Sequence, residues 1–490
     1  MNDCSAADAD RRPNVVLIFT DDLGYGDINC FTPTQHRTPN IDALASQGTR
    51  FTDFYVAQAV CTASRAALMT GCYANRVGLA GALNHTSRQG ISREERLLPQ
   101  IFSRQGYRTA MFGKWHLGLS PYFSPLHHGF DQWFGIPYSN DNTKYHPVLA
   151  DSMPRLPLYA GDANGEEILE LDPDQSLFTR RITERAVEFI EQNREVPFFL
   201  YVPHVMPHVP IFASEAFQGK SGTGLYGDVI EELDWSVGQI VDCVDRLGLT
   251  ENTWIIFSSD NGPFLSYGAH AGSTGPLREG KLNTFEGGVR VPTVMRWPGV
   301  VPVNQICRSP LMSIDLLPTV CRILGTDLPD NPIDGIDVLD TLRGESQPLD
   351  QRPLMFYAGN ELQAVRWGKW KLHFAHQYLT PIDDYRDDGR PAGYGKLEPK
   401  SITESGIEGI ASRHGYRVEL LPLTLFDLSA DIGETTNLAE QHPEVVRQIE
   451  MMAEVYRQEL GDSLTHRVGQ NVRPAGMRPG NPAEDQNENR

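Results

Sequence analysis

Two segments far apart in the chain, "PNVVLIFTDD" at residues 13–22 and "TWIIFSSDNG" at residues 253–262, share one pattern: an unbroken apolar run closed by acidic or amide residues. A strand with one wet face alternates apolar and polar side chains, so an unbroken run of branched and aromatic residues calls for burial on both faces. A parallel sheet held between helical layers meets that demand. "GYRTAMFGKWHLG" and "VPFFLYVPHVMPH" repeat the pattern more loosely. Between these runs lie stretches such as "TRRITERAVEFIEQNRE" and "YGDVIEELDWSVGQIVDCVDRLG", with apolar residues at helical spacing. Strand and helix alternate, which predicts an α/β layered fold with a central mixed, mostly parallel sheet flanked by helices.

After about residue 345 the texture changes. "PLMFYAGNELQAVRWGKWKLHF" and "LPLTLFDLSAD" read as antiparallel strands, and "HPEVVRQIEMMAEVYRQEL" reads as an amphipathic helix. The expected organisation is a catalytic domain over residues 13–345, a smaller C-terminal α+β domain over 346–462 and a disordered tail over 463–490. The polar, glycine-rich stretch from Gln377 to Tyr416 reads as a loop.

A net charge of −20 argues against general binding to nucleic acid or anionic membranes, which needs a basic surface. No apolar run approaches the ~20 residues of a membrane span. The seven cysteines follow no CxxC spacing, so neither a dense disulfide framework nor a structural zinc site is suggested; one or two bridges stay open. The first residues are polar up to Asn14. If that start is native the chain belongs in the cytoplasm, and if an export signal has been removed it belongs in the periplasm or outside the cell.

In open α/β sheets ligands bind at the carboxyl ends of the strands. There the four runs place Asp21 and Asp22, Lys114 and His116, His208, and Asp260 and Asn261. Three carboxylates and an amide are hard oxygen ligands of the kind a calcium or magnesium ion accepts. Each pair also has an ordinary reading, since Asp and Asn are common caps and turn formers. "KWH" puts Lys114 and His116 on one side of an extended segment, while His204 and His208 lie between prolines as packed rings or as a general acid.

The stretch "VAQAVCTASRAALMTG" adds a sulfur atom to this set. With Thr62 as N-cap and Gly71 as terminator, Cys61 falls at the positive end of a short helix, and Arg65 follows one turn later. Helix starts and arginines favour a thiolate, yet a soft sulfur beside hard oxygen ligands is poorly matched to one metal. Filler, nucleophile and precursor of another group all remain open on this reading.

Taken together, "CTASRAALMTG", "PNVVLIFTDDLGYGD", "GKWHLG", "GIPYSND", "SSDNGP", "PLREGKLNTFEGGVRVP" and "LFDLSADIGETTNLA" resemble, in family order, the formylglycine-dependent sulfatases of the alkaline-phosphatase-like superfamily, arylsulfatase A type. The resemblance implies that Cys61 is oxidised to Cα-formylglycine by a maturation enzyme. It further implies that Asp21, Asp22, Asp260, Asn261 and the modified Cys61 bind one calcium ion, with magnesium a poorer fit. Arg65, Lys114 and Lys281 resemble residues that hold the formylglycine and the sulfate, and His116 resembles the histidine assisting the formylglycine hydroxyl. His208 resembles the leaving-group side, and Ser139 aligns with a serine near the substrate.

A hydrated aldehyde has two hydroxyls, one to attack sulfur and one that loses its proton to expel sulfate, which a serine or thiolate cannot do. Ala63 stands where proline is commoner, as in bacterial members, and Cys72 replaces the arginine that often closes the signature. Slower conversion of Cys61 is the expected consequence. The implied reaction is hydrolysis of an aryl or saccharide sulfate. Its alternatives are a phosphonate monoester or phosphodiester hydrolase of the same superfamily, and a non-catalytic sulfated-glycan-binding protein with unmodified Cys61. Specificity is expected from the loops around 140–180 and 375–416, with His373 or His376. Oligomeric state is not legible.

Overall fold

A computed structural model of the chain describes residues 12–146, 150–382, 386–391 and 402–479, the side chains of 402–405 excepted. Ten strands form one sheet in the order Gln305–Cys307, Thr49–Phe51, Thr293–Arg296, Thr253–Ser259, Asn14–Thr20, Phe198–Pro203, Arg108–Lys114, Gln132–Ile136, Pro157–Asp162 and Gly165–Leu171. The five strands from Thr253–Ser259 to Gln132–Ile136 are mutually parallel, and antiparallel pairs flank them on both sides. Leu17 lies opposite both Ile256 and Tyr201.

The unbroken run at residues 14–20 is explained by two cores. Val15, Leu17 and Phe19 enter one apolar cluster, whereas Val16 and Ile18 enter another on the opposite face. Successive side chains of a strand point to opposite faces, so a sheet covered twice needs apolar residues at every position. The helices Phe178–Gln192 and Gly224–Arg246 pack on each other over one face. Cys61–Thr70, Leu98–Arg104 and Leu316–Leu324 cover the other. Leu17 is fully buried, and truncating such a side chain to alanine costs about 2–5 kcal/mol.

A second, antiparallel sheet comprises Leu354–Ala358, Glu361–Trp367, Trp370–His373 and Thr424–Asp427, and the helix Pro443–Leu460 packs against it. Its Met355, Val365, Leu372 and Leu425, with Ile449 of the helix, join the same apolar cluster as Leu17. The small C-terminal sheet therefore shares a core with the large one.

Three expectations need correction. The helix opens at Cys61 with extended Val60 in the cap position; Thr62 Oγ1 instead donates to His116 O at 2.9 Å and accepts from Leu83 N at 3.1 Å. Gly71 does end it, at φ 67°. The stretch from Gln377 to Tyr416 is not one loop. His376–Pro381 pairs with Tyr416–Leu421, and Ile402–His414 is helical because Ile407, Ile410 and Ala411 dock on the core; residues 383–385 and 392–401 lie outside the described residues.

The tail is ordered as far as residue 479. Asp462 caps a turn over Ser463–Thr465, Gly476–Met477 pairs with Gln89–Gly90, and Arg473 contacts Glu95 at 2.6 Å. Ion pairs and one strand pairing hold it, not an apolar stripe, and so its polar composition misled; residues 480–490 lie outside the description. The six described cysteines are all free.

Candidate functional site

Because the Asn14–Thr20, Thr253–Ser259, Phe198–Pro203 and Arg108–Lys114 strands are parallel neighbours, the residues at their carboxyl ends meet at one edge. Asp21, Asp22, Lys114, His208, Asp260 and Asn261 all gather there, buried, and the start of the Cys61–Thr70 helix faces them. Asp22 at φ 64° and His116 at φ 57° adopt left-handed backbone, an unfavourable geometry for residues with a Cβ that turns both side chains into the site.

The contacts are dense. Lys114 Nζ lies 2.6 Å from Asp21 Oδ2 and donates to Ser139 Oγ at 3.3 Å. Arg65 donates to Asp260 Oδ2 through Nε at 3.0 Å and Nη2 at 2.7 Å, and its Nη2 lies 3.4 Å from Asp21. Lys281 Nζ reaches Asp22 at 2.7 Å and the Cys61 sulfur at 3.3 Å. Asn261 Nδ2 donates to Asp22 Oδ1 at 2.7 Å, while its Oδ1 is buried with no partner.

Donor atoms of Asp21, Asp22, Cys61 and His208 lie within 4.8 Å of one another. Asp260 belongs beside them, its Oδ1 accepting from Asp22 N at 3.1 Å. The unpartnered Asn261 oxygen and the convergence of three buried carboxylates suit a hard cation.

Burial alone would raise the Asp21 carboxyl, but Lys114, His208, Arg65 and Lys281 hold it well below the usual carboxylate range. Burial and the Asp21 charge push Asp260 up to about 7, against the pull of Arg65. Burial, then the Asp21 charge, pushes the Cys61 thiol far upward, so it is protonated at neutral pH. Burial and the Lys281 ammonium lower His208. Its Nδ1 donates to Val209 O at 2.6 Å, which leaves Nε2 to face Ser139 Oγ at 3.3 Å. His116 Nε2 donates to Leu83 O at 2.8 Å, leaving a buried Nδ1 without a partner.

The catalytic and metal-binding candidates read from the sequence gather around this cluster, whereas His204 lies behind the sheet edge, its Nε2 pairing with Ser236 Oγ at 3.0 Å. His373 and His376 are not at the site. They stack at 5.6 Å in the seam between the sheets, and His373 Nε2 meets Glu434 at 3.0 Å. The hairpin Pro157–Asp162 and Gly165–Leu171 extends the far edge of the sheet, so the later part of the expected specificity loop is remote. Sequence reasoning missed Asp141, whose carboxyl feels His208 and Lys114, and Arg413 and His414 at the end of a helix read as loop.

Residues 13–326 match the family model described as Sulfatase, and residues 349–482 match the C-terminal region of aryl-sulfatase. The chain belongs to the sulfatase family. It is 37% identical over 470 residues to arylsulfatase A of Bos taurus, covering 90% of this chain and 87% of that relative. To N-acetylgalactosamine-6-sulfatase of Canis lupus familiaris it is 37% identical over 472 residues, covering 92% and 87%. To steryl-sulfatase of Homo sapiens it is 35% identical over 454 residues, covering 76% and 78%.

Among solved structures, PsFucS1 sulfatase from Pseudoalteromonas sp. superposes with a TM-score of 0.78 at 26% identity, covering 93% of this chain and 92% of that one. Ps i-CgsB in complex with k-i-k-neocarrahexaose gives 0.70 at 28%, covering 90% and 93%. The sulfatase is thus an enzyme, a hydrolase of sulfate esters. Nothing in these relatives supports the cytoplasmic placement drawn from the polar start. Among the described residues no helix is long and apolar enough to cross a membrane.

Proposed function

We propose that the Cys61 centre cleaves a sulfate monoester of an aryl alcohol or a saccharide after a maturation enzyme has converted Cys61 to Cα-formylglycine. Asp21, Asp22, Asp260, Asn261 and residue 61 would hold one calcium ion. The observation that carries this reading is the Cys61 sulfur set 3.5 Å from Asp21 Oδ1 and 3.3 Å from the Lys281 ammonium, inside a shell of hard oxygen donors; burial there pushes its thiol upward. A thiolate is disfavoured there, whereas a hydroxyl-bearing side chain suits every neighbour.

When bound, the cation would offset the negative charge of the sulfate oxygens. Lys114 and Lys281 bring two further positive charges to those oxygens in a site closed to water, where electrostatic stabilisation is strongest. Arg65 holds Asp260 and Asp21 in place. The unpartnered Nδ1 of His116 is free to take a proton from a hydroxyl at residue 61. His208, oriented by Val209 O and Ser139, turns Nε2 towards the leaving-group side, where it delivers a proton only when the ring is charged.

The relatives named for aryl, steryl and N-acetylgalactosamine 6-sulfate substrates support a monoester over a diester. Parallel assays with 4-nitrophenyl sulfate and a 4-nitrophenyl phosphodiester test the assignment. Sulfate release that is lost in Cys61→Ala is expected, and dominant diesterase turnover contradicts it.

A further inference from the structure

The motif "LFDLSADIGETTNLA" supplies none of the residues of the Cys61 centre, yet it places a carboxylate, Glu434, in full burial. Withdrawing a charge from water is strongly unfavourable unless it is paired and hydrogen-bonded, so the partners of Glu434 decide what its burial achieves. Oε1 lies 3.0 Å from His373 Nε2 and 3.1 Å from Lys371 Nζ, both on the strand Trp370–His373. Oε2 instead accepts from Glu286 N at 2.6 Å, and the Glu434 carbonyl accepts from Arg278 Nη1 at 2.8 Å.

Arg278 and Glu286 lie on either side of Lys281. One residue of the C-terminal region therefore grips both ends of the segment that presents the ammonium to Cys61. That segment needs holding. Glu279 at φ 55° and Leu282 at φ 73° adopt left-handed backbone although both carry a Cβ, a conformation that persists only where the surroundings enforce it.

Two backbone bonds fix the middle of the segment, Lys281 N to Pro263 O at 2.9 Å and Leu282 N to Ala59 O at 2.8 Å. Its ends close on each other: Gly287 N donates to Arg278 O at 2.8 Å, and the Arg278 guanidinium lies 4.1 Å from the Phe285 ring centre. Glu434 joins both ends. A carboxylate that served only to neutralise Lys371 would be redundant, because Glu286 Oε1 already accepts from Lys371 Nζ at 2.8 Å. What Glu434 adds is the pair of bonds to Glu286 N and Arg278.

We propose that Glu434 is a positioning residue of the sulfatase reaction, which clamps Arg278 and Glu286 and so fixes the Lys281 ammonium against residue 61. This deepens the reading of the Cys61 centre and rests on it.

The test is a double-mutant cycle on kcat for 4-nitrophenyl sulfate, with Lys281→Ala as the second background. Glu434→Ala and Arg278→Ala are each expected to lower kcat by about 10- to 100-fold in the wild-type background, the scale of misplacing a reacting group by about 1 Å, and to lower it no further in Lys281→Ala. A residue that only supports the fold would reduce the folded fraction, and with it the apparent kcat, by the same factor in both backgrounds. Arg278 is half-buried and its truncation leaves Glu434 in place, so it carries the cycle alone if Glu434→Ala does not fold. Equal losses in the two backgrounds, or wild-type kcat in either variant, overturn the inference and leave the Cys61 reading standing. Full activity in Lys281→Ala or in Cys61→Ala overturns both.

Discussion

The Lys281 ammonium lies 3.3 Å from the Cys61 sulfur while it contacts both oxygens of Asp22, at 2.7 and 2.8 Å. Although burial opposes it, the Asp22 charge keeps this lysine protonated well past its ordinary range. A fixed positive charge thus stands within reach of anything attached to residue 61. Lys281→Ala is expected to lower kcat by about 100- to 1,000-fold, the scale of losing one preorganised charge-stabilising donor. Steady-state kinetics on 4-nitrophenyl sulfate checks this, and a change confined to KM speaks against it.

Cation removal gives a second prediction. Asp21, Asp22 and Asp260 are buried together, and burial with the Asp21 charge drives Asp260 to about 7 when only protein groups surround it. Chelation should abolish turnover and lower the melting temperature, and added calcium should restore both more fully than magnesium, since binding to the native state alone stabilises it. Metal analysis of the purified protein with melting curves reads this directly. A chelated enzyme that keeps its activity excludes the proposed ion.

The pH dependence of stability should carry the mark of Asp27. Burial pushes this carboxyl up to about 7, although Tyr226 Oη donates to it at 2.7 Å. An acid raised in the folded state binds more protons there than in the unfolded chain, so its contribution is fully present below pH ~4 and is lost as pH rises towards 7. The expected loss is on the order of a few kcal/mol. In Asp27→Asn the difference in melting temperature between pH 5 and pH 8 should shrink, and an unchanged difference assigns the effect to other groups.

The tail yields a mutation that stability alone reports. Arg473 pairs with Glu95 at 2.6 Å and its Nη2 lies 3.4 Å from Cys72 Sγ, the position where the family signature has arginine. Arg473→Ala should destabilise by about 1–3 kcal/mol, because Glu95 is left buried and unpaired. Denaturant unfolding measures it, and a wild-type midpoint shows that the tail contributes nothing.

How much of this was legible follows from how each residue is held. Asp21, Asp22, Asp260 and Asn261 were readable because each pair directly follows a strand whose unbroken apolar run marks it as central, and adjacent parallel strands end at one edge. Lys114 was read from its strand end and Arg65 from its place one helical turn after Cys61, whereas Lys281 came from motif order alone. Arg413 was hidden for a physical reason. Its helix is glycine-bearing and docks through only a few apolar residues, and the placement of the helix end depends on pairing His376–Pro381 with Tyr416–Leu421, which no local pattern announces. The tail was misread because ion pairs hold it, and charged residues look the same whether paired or solvated. His373 and His376 look exposed in a strand pattern, but the shared core buries them.

The central claim is that residue 61 works as a converted cysteine, and mass spectrometry of the peptide containing it tests this most directly. Protein from its native host, active on 4-nitrophenyl sulfate, should yield that peptide in the aldehyde form, captured by a hydrazide reagent. A preparation that hydrolyses the ester with a free thiol at residue 61 in every molecule contradicts the account.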